Sequence, residues 1–274
     1  MHLKYGSIAI KALGFCLLLP ASAANFPQGM LQLLSDQQQL KLGQELFMRH
    51  CSGCHGNTAR GDGPAAQFLM PKPRNIVEGS FKFKSTSYGS LPSSSDLLRI
   101  IERGLPGSSM PSFKLLPAAQ REALVAYIMS LRPGWKNQVT TNIEIPAVPV
   151  ELKEANTFLA SALKGKNSYM ELCASCHGDQ GVGDGPAAAE IVDENNDPLK
   201  PANLRRKHLK SGSGARDVYR VMSAGIEGTP MPPYGDALSA EQRWDIVAYV
   251  LFMRGQEEGL YEKDFSLEAA VNKK

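Results

Sequence analysis

Cysteine is scarce in this 274-residue chain. Five occur, and one of them, Cys16, lies in an apolar stretch near the N-terminus. The other four, Cys51, Cys54, Cys173 and Cys176, repeat one short spacing twice, which leaves none for a disulfide framework and excludes a small stapled scaffold. Long apolar runs are missing too. No stretch after the leader approaches eighteen uninterrupted apolar residues, so no membrane-spanning helix is expected. Neither sign of charge dominates, with 30 Lys and Arg against 27 Asp and Glu. A chain this close to neutral lacks the basic footprint that nucleic acid requires, and that partner class is set aside.

Residues 1–24 read as a secretory signal. Lys4 and Lys11 precede the apolar run from Ala12 to Leu19, and Pro20-Ala21-Ser22-Ala23 offers a small-residue cleavage site. Cys16 follows bulky Phe15 within that run and reads as apolar filler rather than a lipid-attachment site.

The pentapeptide C-x-x-C-H occurs twice, as Cys51-Ser52-Gly53-Cys54-His55 and as Cys173-Ala174-Ser175-Cys176-His177. Each copy is followed by a Met-Pro pair, Met110-Pro111 and Met231-Pro232. Two thiols three positions apart on a helical turn can each form a thioether to a vinyl group, and the adjacent imidazole reaches the iron. The pattern is therefore the signature of covalently attached haem c, here twice. A zinc ribbon needs its cysteine pairs close in sequence, and a thioredoxin-like dithiol sits beside a βαβ pattern that this chain lacks.

The second axial ligand must come from elsewhere. Met110 competes with Met48, Met70 and Met129, and Met231 with Met170, Met222 and Met253. Met48 and Met170 belong to the helix leading into their own motif, while Met129 and Met253 fit the apolar face of a final helix. Met70 and Met222 are harder to set aside, but only Met110 and Met231 stand in a glycine-flanked Met-Pro loop. His208 is the rival to Met231, whereas His50 would point away from its own iron. Arg74 with Asn75, and Asn203 with Arg205, read equally well as partners of the haem propionates and as solvated loop residues.

The rest of the chain repeats as well. A capping box at Ser35 and Gln38 opens a helix with Leu40, Gly43 and Phe47 on its inner face, matched by Leu159, Gly165 and Tyr169 in the second copy. The Gly61-Asp62-Gly63-Pro64-Ala65-Ala66 string returns as Gly183-Asp184-Gly185-Pro186-Ala187-Ala188. Middle helices are expected over 94–103 and 215–224, ending at Gly104 and Gly225. Final helices are expected over 117–131 and 239–252, each with a Val-Ala-Tyr string, so that Gly43 and Gly165 permit close crossings beneath Tyr127 and Tyr249. The copies differ at an acidic insertion over 190–200 and at the aromatic and basic loop Phe81-Lys82-Phe83-Lys84.

In these motifs the chain resembles class I cytochrome c domains, and as a whole it is similar to a tandem diheme cytochrome c of the bacterial periplasm. The resemblance covers roughly residues 30–132 and 154–254. It implies an all-α fold with cytochrome c domains at 25–135 and 153–255; the residues themselves add the signal peptide at 1–24, an extended linker at 136–152, where Pro146 and Pro149 stand among Val and Thr without helical periodicity, and a charged, partly mobile tail at 256–274 with a short helix near 267–271. It also implies that Pro64 and Pro186 offer their carbonyls to the ring N–H of His55 and His177.

With both irons held by His and Met, no position is open to substrate, so the reading is one-electron transfer rather than enzyme catalysis. The redox partners belong to the classes of dehydrogenase, quinol-oxidising complex, reductase or oxidase. An electron-accepting subunit of a larger oxidoreductase, held through the loop at 81–88, is the alternative. A diheme peroxidase is disfavoured, because neither copy lacks its Met-Pro loop. The first half is richer in base and the second in acid, which suggests faces for different partners.

Overall fold

A computed structural model describes residues 28–138, 140–259 and 266–271 of the chain, with side chains from residue 35 onward. The signal-peptide reading of 1–24 lies outside the described residues. By its internal packing the chain divides after Asp36, and residues 37–274 form one compact unit holding both copies of the repeat.

The fold is all-α. Its helices in order are α1 (Gln28–His50), α2 (Ser52–His55), α3 (Ser94–Arg103), α4 (Ala118–Ser130), α5 (Ala155–Leu172), α6 (Ala174–His177), α7 (Ala215–Ala224), α8 (Ala240–Glu257) and α9 (Leu267–Val271). Among the described residues there is no strand, only two isolated bridges, Thr86 with Asn142 and Val192 with Pro198.

Helix α1 begins well upstream of Ser35. Residues 30–34 hold Met, Gln and three Leu, all strong helix formers, so the helix runs through the expected capping box. Elsewhere local chemistry sets the ends. Ser93 accepts from Asp96 N, and the Asp96 carboxylate accepts from Ser93 N, a complete capping box ahead of α3. Ser239 and Gln242 do the same for α8. Gly104 and Gly225 end α3 and α7 with φ of 67° and 70°, where a side chain would also strike the Met110–Ser112 and Met231–Pro233 backbones.

The two glycines expected at helix crossings are there, though their contacts are not with tyrosine rings. A Cβ on Gly43 would stand 2.1 Å from the Ala123 carbonyl oxygen, and one on Gly165 would stand 1.9 Å from that of Asp245. Backbone therefore meets backbone, and the tyrosines cover a neighbouring aromatic instead: Tyr127 on Phe47 at 5.4 Å, Tyr249 on Tyr169 at 5.1 Å. Phe47 and Tyr169 are fully buried, each contributing about 2 kcal/mol by area removed from water.

Residues 140–149 run without helix between the copies and are stitched to both. Thr141 O accepts from Ser87 N, and Ile143 N donates to Ser85 O. Arg216 of α7 donates to the carbonyls of Pro146 and Ile145. The loop at 81–88, expected to face an external partner, is instead occupied within the molecule. Lys82 pairs with Asp193 at 3.4 Å, and fully buried Lys84 pairs with Glu227. Lys72, Arg74 and Arg103 likewise meet Asp197, Glu194 and Asp217. Five basic side chains of the first half thus pair with acidic ones of the second, and both lysines of the loop are among them, while Tyr88 stays exposed.

Candidate haem centres

Each C-x-x-C-H segment is a single helical turn entered straight from a long helix. Cys51 N bonds Phe47 O and Cys173 N bonds Tyr169 O, both at 2.8 Å, while His55 N and His177 N close on Cys51 O and Cys173 O, also at 2.8 Å. The glycine-rich string that follows folds back and satisfies the carbonyls this turn leaves open. Gly61 N reaches His55 O at 2.8 Å, Gly63 N reaches Cys54 O at 3.2 Å, and Ala65 N reaches Gly53 O at 3.0 Å. Gly183, Gly185 and Ala187 repeat the pattern on His177, Cys176 and Ser175. Contact is close enough that a Cβ on Gly63 would lie 2.5 Å from Gly53 O, and one on Gly185 2.4 Å from Ala174 O.

The imidazoles are not held by the prolines that the resemblance implied. His55 Nδ1 lies 3.0 Å from the carbonyl oxygen of Arg74, and His177 Nδ1 lies 3.0 Å from that of Ala202. Pro64 instead accepts from Gln67 Nε2. The reason is local: Pro64 rides in the string that closes over the haem-motif turn, whereas Pro73-Arg74-Asn75 and Pro201-Ala202-Asn203 return to the ring. Asn75 Oδ1 accepts from Val77 N and Glu78 N, and Asn203 Oδ1 from Arg205 N, so these side chains fix the turn that presents the carbonyl.

The Met loops are organised alike. Ser108 Oγ donates to Leu105 O and accepts from Met110 N, while Thr229 Oγ1 donates to Ile226 O and accepts from Met231 N. Met110 O and Met231 O accept from Leu105 N and Ile226 N at 3.0 and 3.1 Å. A hydroxyl two residues before each methionine was the available sequence signal for this device.

One cavity of about 1780 Å³ is bordered by Cys51, His55 and Met110 of the first copy and by Cys173, Cys176, His177 and Met231 of the second. Cys54 is half-buried and is not among the bordering residues. Of the rival methionines, Met48 and Met170 are exposed, and Met253 is buried in the apolar core around Tyr169. Met129 packs against the core of the first copy. Met70 and Met222 border the cavity, as does His208. His50 is exposed, with its ring edge toward Phe113. Arg205 turns away to Glu257 at 2.8 Å and does not border the cavity, whereas Arg74, Asn75 and Asn203 do.

Burial decides the protonation states. It pushes the Cys51 and Cys173 thiols up to about 11, with the neighbouring cysteine adding to the effect. A reactive dithiol needs the opposite shift, so a thioredoxin-like role does not fit. Burial also lowers the His55 and His177 imidazoles, against the opposing pull of the Arg74 and Ala202 carbonyls, and a neutral ring is the form that ligates iron. Cys51 borders the apolar-walled cavity with His55, and Cys173 and Cys176 border it with His177, so each copy brings its C-x-x-C-H turn to the space that thioether-attached haem requires. The donor set therefore fits two covalent haem c groups.

Comparison with known families gives the same answer. The family described as Cytochrome c matches the chain twice, over residues 40–132 and 162–253. Proteins of curated function give no match. Among solved structures, the chain is similar to one from the Kuenenia stuttgartiensis reducing HAO-like protein complex Kustc0457/Kustc0458. It shares 32% identity and a TM-score of 0.72 with it, covering 78% of this chain and 96% of that one. The protein belongs to the cytochrome c family, as a tandem of two cytochrome c domains that each hold a covalent haem c.

Proposed function

We propose that the protein passes single electrons between redox proteins through two six-coordinate centres. His55 and Met110 are the ligands at one iron, His177 and Met231 at the other, and Cys51, Cys54, Cys173 and Cys176 anchor the two groups. The observation that carries this reading is the identical hydrogen-bonded Met loop in both copies, bordering the same cavity as the histidines. With His and Met as ligands at both irons, neither centre would offer a position to substrate. Bound haem c supplies a reversible one-electron couple, which a thioether ligand poises toward the reduced form. The chain does the rest: the carbonyls of Arg74 and Ala202 hold the Nδ1 protons and fix the rings. Side chains such as Leu97, Ile101 and Leu124 exclude water from the first copy, and Met222, Ile246 and Val250 from the second. A cavity shared by both copies favours exchange between the two centres.

In this reading residues 1–24 direct export to the periplasm, 25–135 and 153–255 are the two domains, 136–152 links them and 256–274 is a tail. Among the described residues no helix is long and apolar enough to cross a membrane. A second reading is favoured by one observation, the likeness to a chain of a reducing HAO-like protein complex: the protein is then the electron-transferring subunit of such an assembly. In the loop at 81–88 the lysines are taken up by the second copy, so docking through that loop would fall to exposed Tyr88.

Stopped-flow mixing of the fully reduced and half-reduced protein with hydrogen peroxide tests the electron-transfer reading. Slow reaction in both states is expected. Rapid turnover with a high-spin signal in the half-reduced form would overturn it in favour of a peroxidase.

A further inference from the structure

Two places where the copies differ in sequence meet in space. The first is the residue whose carbonyl holds the motif histidine, Arg74 in one copy and Ala202 in the other. The second is the acidic insertion, which only the second copy has. The Arg74 guanidinium pairs with Glu194 of that insertion. Ser80 joins the same carboxylate through its hydroxyl and through its backbone N–H at 3.3 Å.

Glu194 reaches the other centre as well. Its backbone N–H donates to Gly228 O at 3.0 Å, and Gly228 opens the loop that ends in Met231. A Cβ on Gly228, which has φ of 69°, would stand 2.7 Å from the Glu194 carboxyl carbon. The positive φ favours glycine here, and its missing side chain leaves the room in which the Glu194 carboxylate lies against the loop. Arg74 and Glu194 both border the shared cavity.

We propose that Glu194 is a positioning residue that ties the His55 side of the first centre to the Met231 loop of the second, so that one carboxylate sets the potentials of both irons together. The inference rests on the assignment of His55 and Met231 as axial ligands. Charge near a haem, and hydrogen bonding to its ligands, are the levers a protein has on potential. The paired charges of Arg74 and Glu194 offset one another beside the cavity, and removing either leaves the other uncompensated at short range.

The test is spectroelectrochemical titration of the intact two-haem protein as wild type, Glu194→Gln, Arg74→Met and Lys164→Met. Glu194→Gln removes a negative charge that favours ferric iron, so both potentials should rise. Arg74→Met keeps the carbonyl that His55 uses and removes the positive charge, so both should fall. Lys164→Met breaks the exposed pair with Glu241 at 3.4 Å, lies away from the cavity that Arg74 and Glu194 border, and should leave both where they are. A merely structural clasp would admit water in either charge variant and lower the potentials in both. Unmoved potentials in Glu194→Gln, movement at one iron alone, or the same direction of shift in both charge variants would each overturn the link. The near-infrared methionine–iron band, recorded on the same samples, separates the two claims: with two-haem intensity present the ligand assignment stands, and the potentials judge Glu194 alone.

Discussion

Tyr169 and Phe47 occupy the same place in the two copies, four residues before the first cysteine, yet only Tyr169 carries a hydroxyl. It donates to Gly178 O at 2.8 Å, just past His177, from a fully buried position. Burial raises its pKa further above the usual phenol range, so the donor stays protonated. Tyr169→Phe copies the first domain's solution but leaves a carbonyl without this partner, and should cost about 1 kcal/mol of unfolding free energy. Calorimetry of the haem-loaded variant checks it. At this scale the sequence was partly readable. The cysteines, histidines and Met-loop methionines stood out because the chemistry needs those side chains. The groups that hold the imidazoles are backbone carbonyls of Arg74 and Ala202, which no residue type advertises, and the family-based expectation of Pro64 and Pro186 failed for that reason.

Among the helices, periodicity and caps were informative because each responds to local sequence. The limits of α3 and α7 follow from apolar spacing and terminal glycines. The start of α1 did not, since a capping box inside a run of helix formers competes with the helix and loses. Close crossing at Gly165 yields a prediction. In Gly165→Ala the new methyl would meet the Asp245 carbonyl at 1.9 Å, and α5 must move off α8. Overpacking costs about 1–3 kcal/mol, which exceeds the gain of up to about 1 kcal/mol from replacing glycine in a helix. A net loss of stability is therefore expected in thermal unfolding, and an unchanged midpoint would mean that the crossing is looser than described.

Helix α9 adds a pH dependence. Leu267 is buried against the second core, and Glu268 meets Lys166 of α5 at 2.6 Å. The Lys166 ammonium holds the Glu268 carboxyl down at about 2, from an ordinary 4.5, and the carboxylate in turn raises Lys166. A depressed acid contributes stability above its unfolded value and loses it as pH falls through the folded one. A raised base contributes below its unfolded value, 10.5, and loses it as pH climbs further. Protection of the Ala270 amide, which bonds Ser266 O at 3.0 Å, should hold between about pH 4.5 and 10.5 and fall away on the acid side toward pH 2. Exchange measured by NMR reads this directly.

In the whole molecule, pairing between the copies is what the sequence concealed. A basic first half and an acidic second half suggest external partners when charge is counted along the chain. Lys82, Lys84 and Arg74 instead meet Asp193, Glu227 and Glu194, residues more than a hundred positions away. Such contacts depend on how two folded domains dock, and no local pattern encodes them. The histidines and Met loops of both copies border one cavity, which is the arrangement that the proposed exchange between two centres calls for. The central claim is that both irons are closed by methionine. Near-infrared absorbance of the ferric protein, scaled to haem content, tests it most directly. Two methionine–iron bands' worth of intensity is the predicted result; intensity for one haem or none, with a high-spin signal in its place, would contradict the account.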